Sequence, residues 1–552
     1  MAEMKWWGWG LEGAEFTHAD MPGLAPFIER VLGLDVRCVT APPPSFASLC
    51  IPDSMLPAAL RSELEQTLGP DHVSMDELDR VVHGRGKSLR DLIRQRRGDL
   101  PRVPDVVVRP ANEEQVAAVL RSAVTQDAVV IPFGGGSSIS GSLEPAPAQT
   151  RPVISVDLSR LDAVLEVDRL SGLARVQAGV LGPALEDQLR GHGYTLGHVP
   201  DSFTHSTLGG WIATRSSGMQ SDRYGDIADL TKGVRVVTPS GTLVVRPIPA
   251  MSAGPSVREM ILGSEGRLGI ITEATMQVRR LPEQRTILGY LFPCFADGLA
   301  AMQEIAHSEC SVSVTRVSDA AETRFSFAMR QAPTLLDRVQ SAALQLYLRR
   351  RLGWDVDQMC LSFIGYEGSR RHVAAQRHAV GQIVKRRGGL CIGSRPGALY
   401  DQKKFDTPYI RDFLLDRGGA GDVSETAMPW SRLWPVYEAV TSAARGAFAV
   451  LGVTGYVMCH LSHSYHVGAC LYFTFAFRSG AGEDMLVQYD VVKSAIQQSF
   501  VDNGATLSHH HAVGTEHARW LEEDISGPGV AMLRALFGGT DPDGRLNPGK
   551  IV

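Results

Sequence analysis

Three consecutive glycines, Gly134, Gly135 and Gly136, follow the apolar run Ala128–Ile131 and precede Ser137 and Ser138. Glycine admits positive φ and close backbone approach, and successive exposed N–H groups in such a turn bind phosphate oxygens. The stretch lacks the Gly-Lys-Ser/Thr of a Walker loop and the acidic residue that completes a G-x-G-x-x-G fingerprint. Alone it also suits an ordinary glycine turn. Two segments of similar character follow, one from Pro200 to Gly218 and one from Glu265 to Glu273. Near the chain end, His460, His463, Tyr465 and His466 share one stretch, and His509, His510 and His511 are adjacent. Adjacent histidines invite a zinc reading, but consecutive residues rarely point at one ion; a solvated cluster is the other plain reading.

The elements that must position these residues are α+β. Val106–Val108, Ala128–Ile131 and Val153–Val156 read as short buried strands. Between the first two, Asn112 caps a predicted helix reaching Thr125. Strand patterns continue at Leu173–Gln177, Val234–Val237, Leu243–Arg246 and Ile270–Arg279. Ser54 to Gly98 reads as helices with a basic end from Arg90 to Arg97. Beyond Leu281, helices at Leu335–Leu352 and His372–Arg387 alternate with strands at Cys360–Tyr366 and Gly468–Phe477. The expected division is a helical segment 1–100, a cofactor domain 101–282, a substrate-binding cap 283–495 and a helical end 496–552.

The three glycine-rich segments, in this order, resemble the vanillyl-alcohol-oxidase (PCMH) type of FAD-binding fold. That resemblance implies a two-part FAD domain with a cap. It assigns the pyrophosphate to Pro132, Phe133, Gly134, Gly135, Gly136, Ser137 and Ser138. The rest of the cofactor falls to Pro200, Asp201, Ser202, Phe203, Thr204, His205 and Ser206; to Ala213, Thr214, Arg215 and Ser216; and to Glu265, Gly266, Arg267, Leu268, Gly269, Ile270 and Ile271. With serines after the glycines and no nearby cysteine, non-covalent FAD is expected. His460–Phe477, Ala505–Gly514, Met4–Gly10, Tyr409–Asp412 and Glu425–Trp430 resemble the alkyldihydroxyacetonephosphate synthases. These replace the acyl chain of acyl-dihydroxyacetone phosphate by a fatty alcohol through an adduct at flavin N5, with no net redox change.

A proton must then leave the substrate carbon and return. The resemblance implies Tyr465 as that acid/base. Its phenol, ordinarily near 10, needs positive charge or donors beside it, which His509, His510 and His511 would supply. Arg316 is implied to contact substrate, with Arg411 a second candidate, because an arginine fork matches a phosphate. Leu471–Phe477 suits an acyl tunnel or a core strand. Leu344–Trp354, with Arg349, Arg350 and Arg351, suits either an amphipathic membrane patch or a solvated face. The tail Asp541–Lys550 looks more like FAD-linked 2-hydroxyacid dehydrogenases, the alternative reading. Their metal site has lost its carboxylates here, at Ala469, Cys470 and His510, so no metal is expected.

Composition narrows the rest. Of 552 residues 44% are hydrophobic and 21% charged, which excludes wholesale disorder. Lys plus Arg is 55 against 60 for Asp plus Glu, a net charge of −5 that argues against nucleic-acid binding. The 8 cysteines form no C-x-x-C pair. The start lacks a signal-peptide core and the end a peroxisomal address, so a cytoplasmic location is expected; the resemblance implies lipid substrates with at most peripheral membrane contact, and a homodimer is expected.

Overall fold

The computed structural model describes residues 4–332, 335–480, 482 and 484–552. The β-branched runs become strands: Val106–Val108 and Val129–Phe133 both pair in parallel with Val153–Asp157. Parallel pairing needs a crossover, and the helix Glu113–Thr125 provides it. Asn112 caps that helix as expected, its Oδ1 accepting from the Gln115 N–H at 2.9 Å. Burial on both faces is why these strands read as unbroken apolar runs. A second sheet, antiparallel throughout, is ordered Val164–Asp168, Leu173–Gln177, Ile270–Gln277, Thr231–Thr238, Gly241–Val245. Both sheets share one core with Trp520, Phe537, Leu546 and Ile551 from the chain end.

The second half forms a larger antiparallel sheet, ordered Leu390–Gly393, Gln284–Phe292, Cys360–Gly368, Val314–Ser318, Gly455–Ser464, Gly468–Arg478, Gly419–Pro429. One face packs Phe473, Phe475 and Phe477 against Val436, Val440 and Phe448 of the helix Trp430–Leu451. Leu89, Leu92 and Ile93 of the helix Leu89–Arg96 enter this same core, while Val73–Ser74 pairs with Val106–Val108. The stretch that reads as purely helical therefore also contributes a strand. Among the described residues no helix is long and apolar enough to cross a membrane.

Under the glycine loop, buried His83 has its ring centroid 4.0 Å from that of Phe133. Its nitrogens lie 3.1 Å from Asp79 Oδ1 and 3.4 Å from Asp157 Oδ2, and Arg109 reaches both carboxylates at 2.6 and 3.0 Å. Burial opposes the imidazolium, but the hydrogen bonds and charges of Asp157 and Asp79 outweigh it and raise His83 to about 9. A folded value above the unfolded 6.5 stabilises fully below pH 6.5, and the gain is lost as pH rises through 9. A displacement of that size is worth roughly 3 kcal/mol. His83→Gln should melt well below the parent at pH 6, with the gap in Tm narrowing towards pH 9. A gap that does not change with pH would contradict the ion-pair account.

Candidate functional site

A cavity of about 1660 Å³ runs between the glycine loops and the large sheet. Pro132 to Ser138 line it where the strand Val129–Phe133 ends. The loop is packed at backbone distance: a Cβ on Gly135 would lie 1.8 Å from the His205 carbonyl oxygen, and one on Gly134 would lie 2.3 Å from Thr207 Oγ1. Gly136 has φ +68°, a conformation costly for residues with a Cβ. Pro200, Asp201, Ser202, Ser206, Ala213, Thr214, Ser216, Glu265, Gly266, Gly269 and Ile271 also face the cavity. This glycine-walled end fits a dinucleotide pyrophosphate.

Other expected cofactor residues are turned elsewhere. Phe203 stacks on Trp211 and Phe405, and Leu268 and Ile270 belong to the core. Arg215 pairs with Glu259 at 3.1 Å, and Arg267 donates to the Lys550 carbonyl at 2.8 Å. His205 contributes its carbonyl to loop packing, and Thr204 does not line the cavity. Glu265 reaches the cavity but spends its carboxylate on Ser142 Oγ at 2.6 Å and on the N–H groups of Val513 and Gly514 at 2.9 and 3.0 Å.

The opposite wall is built by period-two alternation on two neighbouring strands. On Gly468–Arg478 the aromatic Phe473, Phe475 and Phe477 fill the core, whereas Tyr472, Thr474 and Ala476 face the cavity. Leu471–Phe477 is thus core strand and cavity wall at once. On Gly455–Ser464, Tyr456, Met458, His460 and Ser462 point the same way until a bulge between Leu461 and His463 also turns His463 inward. His460 sits directly across from Tyr472, with ring centroids 4.9 Å apart and nearly parallel. Tyr472 stacks on His510 as well, at 6.0 Å, and its hydroxyl makes no hydrogen bond among the described residues. Burial, then the charges of Asp201 and Glu425, push this phenol well above its ordinary value.

The histidine run is held from behind. Glu425, buried on the strand Gly419–Pro429, accepts the N–H groups of His509, His510 and His511 at 2.6, 3.1 and 3.0 Å and the Ser508 hydroxyl at 2.8 Å. Despite burial, those imidazoles hold Glu425 well below the usual carboxylate range. His510 and His511 line the cavity, and burial lowers them to about 3 and about 4 against the pull of Glu425. Potential ligand atoms of Glu425, Cys470, His509 and His510 lie within 4.8 Å of one another.

Tyr465 meets the histidine run through its hydroxyl. It lies behind the wall rather than on it, with its hydroxyl 3.0 Å from Asp226 Oδ2 and 2.6 Å from His509 Nε2. Burial and the adjacent Asp226 raise its phenol instead of lowering it, because the expected positive charge is answered by a carboxylate. Arg316 lines the cavity but is engaged by Glu322 Oε1 at 2.6 Å and His460 Nδ1 at 3.2 Å. Arg411 also lines it, with NH1 3.8 Å from Asp422 and a buried Nε that has no partner among the described residues. Ser462 Oγ and His463 Nδ1, on two further lining residues, are buried and equally without a hydrogen-bond partner among the described residues. The far end is apolar, walled by Phe27, Ile28, Val31, Phe325, Leu344 and Leu399.

Residues 104–245 match the family described as FAD binding domain, and residues 281–551 the C-terminal domain of FAD linked oxidases. The chain is 38% identical to alkyldihydroxyacetonephosphate synthase of Dictyostelium discoideum, covering 100% of this chain and 93% of that one. It is 34% identical to the Trypanosoma brucei brucei enzyme of the same name, covering 100% and 92%. A solved alkyldihydroxyacetonephosphate synthase superposes with TM-score 0.87 at 36% identity, covering 99% of this chain and 98% of that one. Substrate-bound p-cresol methylhydroxylase, 14% identical with TM-score 0.62 over 89% and 96%, shares the fold alone.

Proposed function

The chain belongs to the alkyldihydroxyacetonephosphate synthase family and binds FAD, and from that premise we propose how its own residues exchange the acyl chain of acyl-dihydroxyacetone phosphate for a fatty alcohol. The observation that carries the reading is one continuous cavity, glycine-walled and polar at one end and apolar at the other. The flavin would be held non-covalently by Gly134 to Ser138 and would supply an electron-accepting centre beside the deprotonated substrate carbon. Acid and base are the chain's. Two titratable groups whose surroundings push them apart mark such a pair: Tyr472 keeps its proton, and His510 stays unprotonated throughout the neutral range. His510 takes the proton leaving the substrate carbon and returns it to that carbon as the ether is released. Tyr472 donates to the departing carboxylate and recovers its proton from the incoming alcohol. Acid and ether leave with no net oxidation.

The phosphate goes to Arg411, which lines the cavity with NH1 3.8 Å from Asp422, with Arg316 ordering the neighbouring wall through Glu322 and His460. A charge-assisted hydrogen bond is worth about 1.5–3 kcal/mol. Arg411→Lys should therefore raise KM for the phosphorylated substrate about 10–100-fold while FAD content holds. An unchanged KM would move the phosphate to Arg316.

The apolar end takes the chains, and its wall meets a lipid surface. On the helix Leu335–Arg351, Leu344 faces the cavity, while Leu346 and Tyr347 are 56% and 46% exposed beside Arg349 to Arg351. The patch is smaller than the sequence suggests, because Leu348 and Trp354 are buried. Flotation with anionic vesicles, lost when the three arginines become serine, tests this contact. A homodimer belongs to the same reading and is checked by sedimentation. The dehydrogenase alternative predicts anaerobic bleaching of the flavin by lactate or 2-hydroxyglutarate; the transferase predicts none.

A further inference from the structure

Behind the cavity wall runs a line of polar contacts that the acid–base pair leaves unused. Ser217 donates to Asp226 Oδ1 at 2.7 Å. Tyr465 joins Asp226 Oδ2 at 3.0 Å to His509 Nε2 at 2.6 Å. His509 Nδ1 lies 2.9 Å from His510 Nδ1, which is also 3.5 Å from Glu425 Oε2.

Counting hydrogens fixes their order. An ionised carboxylate accepts and cannot donate. Burial opposes the Asp226 charge, but His463, His509 and the Ser217 and Tyr465 hydroxyls keep its carboxyl below the ordinary range. Tyr465 therefore points its one proton at Asp226, and its oxygen receives the N–H of His509 Nε2. A neutral His509 then offers Nδ1 as acceptor, so His510 Nδ1 carries the hydrogen. That same N–H faces Glu425. A doubly protonated His509 would instead turn the His510 lone pair towards that carboxylate, which is repulsive. Both ends demand one order. His198, His463, Cys470, Asp222, Glu425 and His511 also face the line, and none bonds the Tyr465 hydroxyl.

We propose that Asp226 is a positioning residue: through Tyr465 and His509 it fixes the tautomer of His510, with Glu425 holding the far end, so that a bare Nε2 faces the cavity. The inference rests on the reading of His510 as the base. A carboxylate that sets an imidazole tautomer is worth up to about 10⁴ in kcat elsewhere.

Asp226→Asn tests it. Asparagine keeps the shape and an acceptor for Ser217, but its amide donates to the Tyr465 oxygen and reverses every hydrogen in the line. We expect kcat to fall about 10²-fold or more, with KM and FAD content unchanged. Adding Tyr465→Phe should cost nothing further, since the line is already broken. Neutron diffraction of the deuterated FAD-loaded parent supplies a readout independent of turnover. Deuterons should sit on Tyr465 towards Asp226, on His509 Nε2 and on His510 Nδ1, and none on His510 Nε2. A deuteron on His510 Nε2, or parental kcat in Asp226→Asn, overturns the proposal. If the parent exchanges no alkyl chain while the deuterons stand as described, the functional reading falls and the hydrogen order stands.

Discussion

Tyr472→Phe should keep its FAD and lose alkyl exchange by about 10²–10⁴-fold, the range of a general acid–base group. The substitution preserves the ring, so the stacking on His460 and His510 is retained, and it removes only the hydroxyl open to the cavity. No hydrogen-bond partner among the described residues is orphaned, which is why folding and cofactor content should survive. Tyr465→Phe acts one layer back, through His509, and should cost less. Stopped-flow and steady-state rates of the two variants, beside their flavin spectra, decide the assignment. Full exchange by Tyr472→Phe together with a collapse in Tyr465→Phe would return the acid to the position the sequence suggests.

Gly135→Val should yield colourless protein that takes up no added FAD. The reason differs from simple crowding of a phosphate. The new Cβ would lie 1.8 Å from the His205 carbonyl oxygen and 2.7 Å from its carbon, so backbone must move in the first or the second cofactor segment. Overpacking of this kind costs typically 1–3 kcal/mol or more, and it falls on the loop whose N–H groups must converge. Alanine places the same Cβ, so Gly135→Ala should fail as well, whereas Ser137→Ala should remain yellow. Flavin absorbance after desalting checks all three. A yellow Gly135→Ala would show that the loops can part without losing the cofactor.

The placement of Tyr465 and Tyr472 shows what local sequence carries and what it does not. Val106–Val108 and the Asn112 cap are legible because their causes are local, an apolar run and a side chain reaching three residues ahead. The glycine loops are legible because only glycine tolerates their geometry. Tyr472 was open to the same reading: the alternation along Gly468–Arg478 separates it from the core phenylalanines. The bulge that turns His463 inward has no such signature. Asp226 and Glu425 lie 239 and 84 residues from the groups they hold. Only the pairing of distant strands and loops brings them there, and nothing local in Glu425–Trp430 announces three backbone N–H partners.

The central claim is alkyl exchange without redox. The direct measurement is incubation of the FAD-loaded protein with acyl-dihydroxyacetone phosphate and isotopically labelled fatty alcohol, anaerobically and with no electron acceptor, followed by lipid analysis. The account predicts labelled alkyl-dihydroxyacetone phosphate and free fatty acid in equal amounts, with the flavin oxidised at the end. No ether product, together with flavin bleaching and dye reduction when a 2-hydroxyacid is supplied, would contradict it.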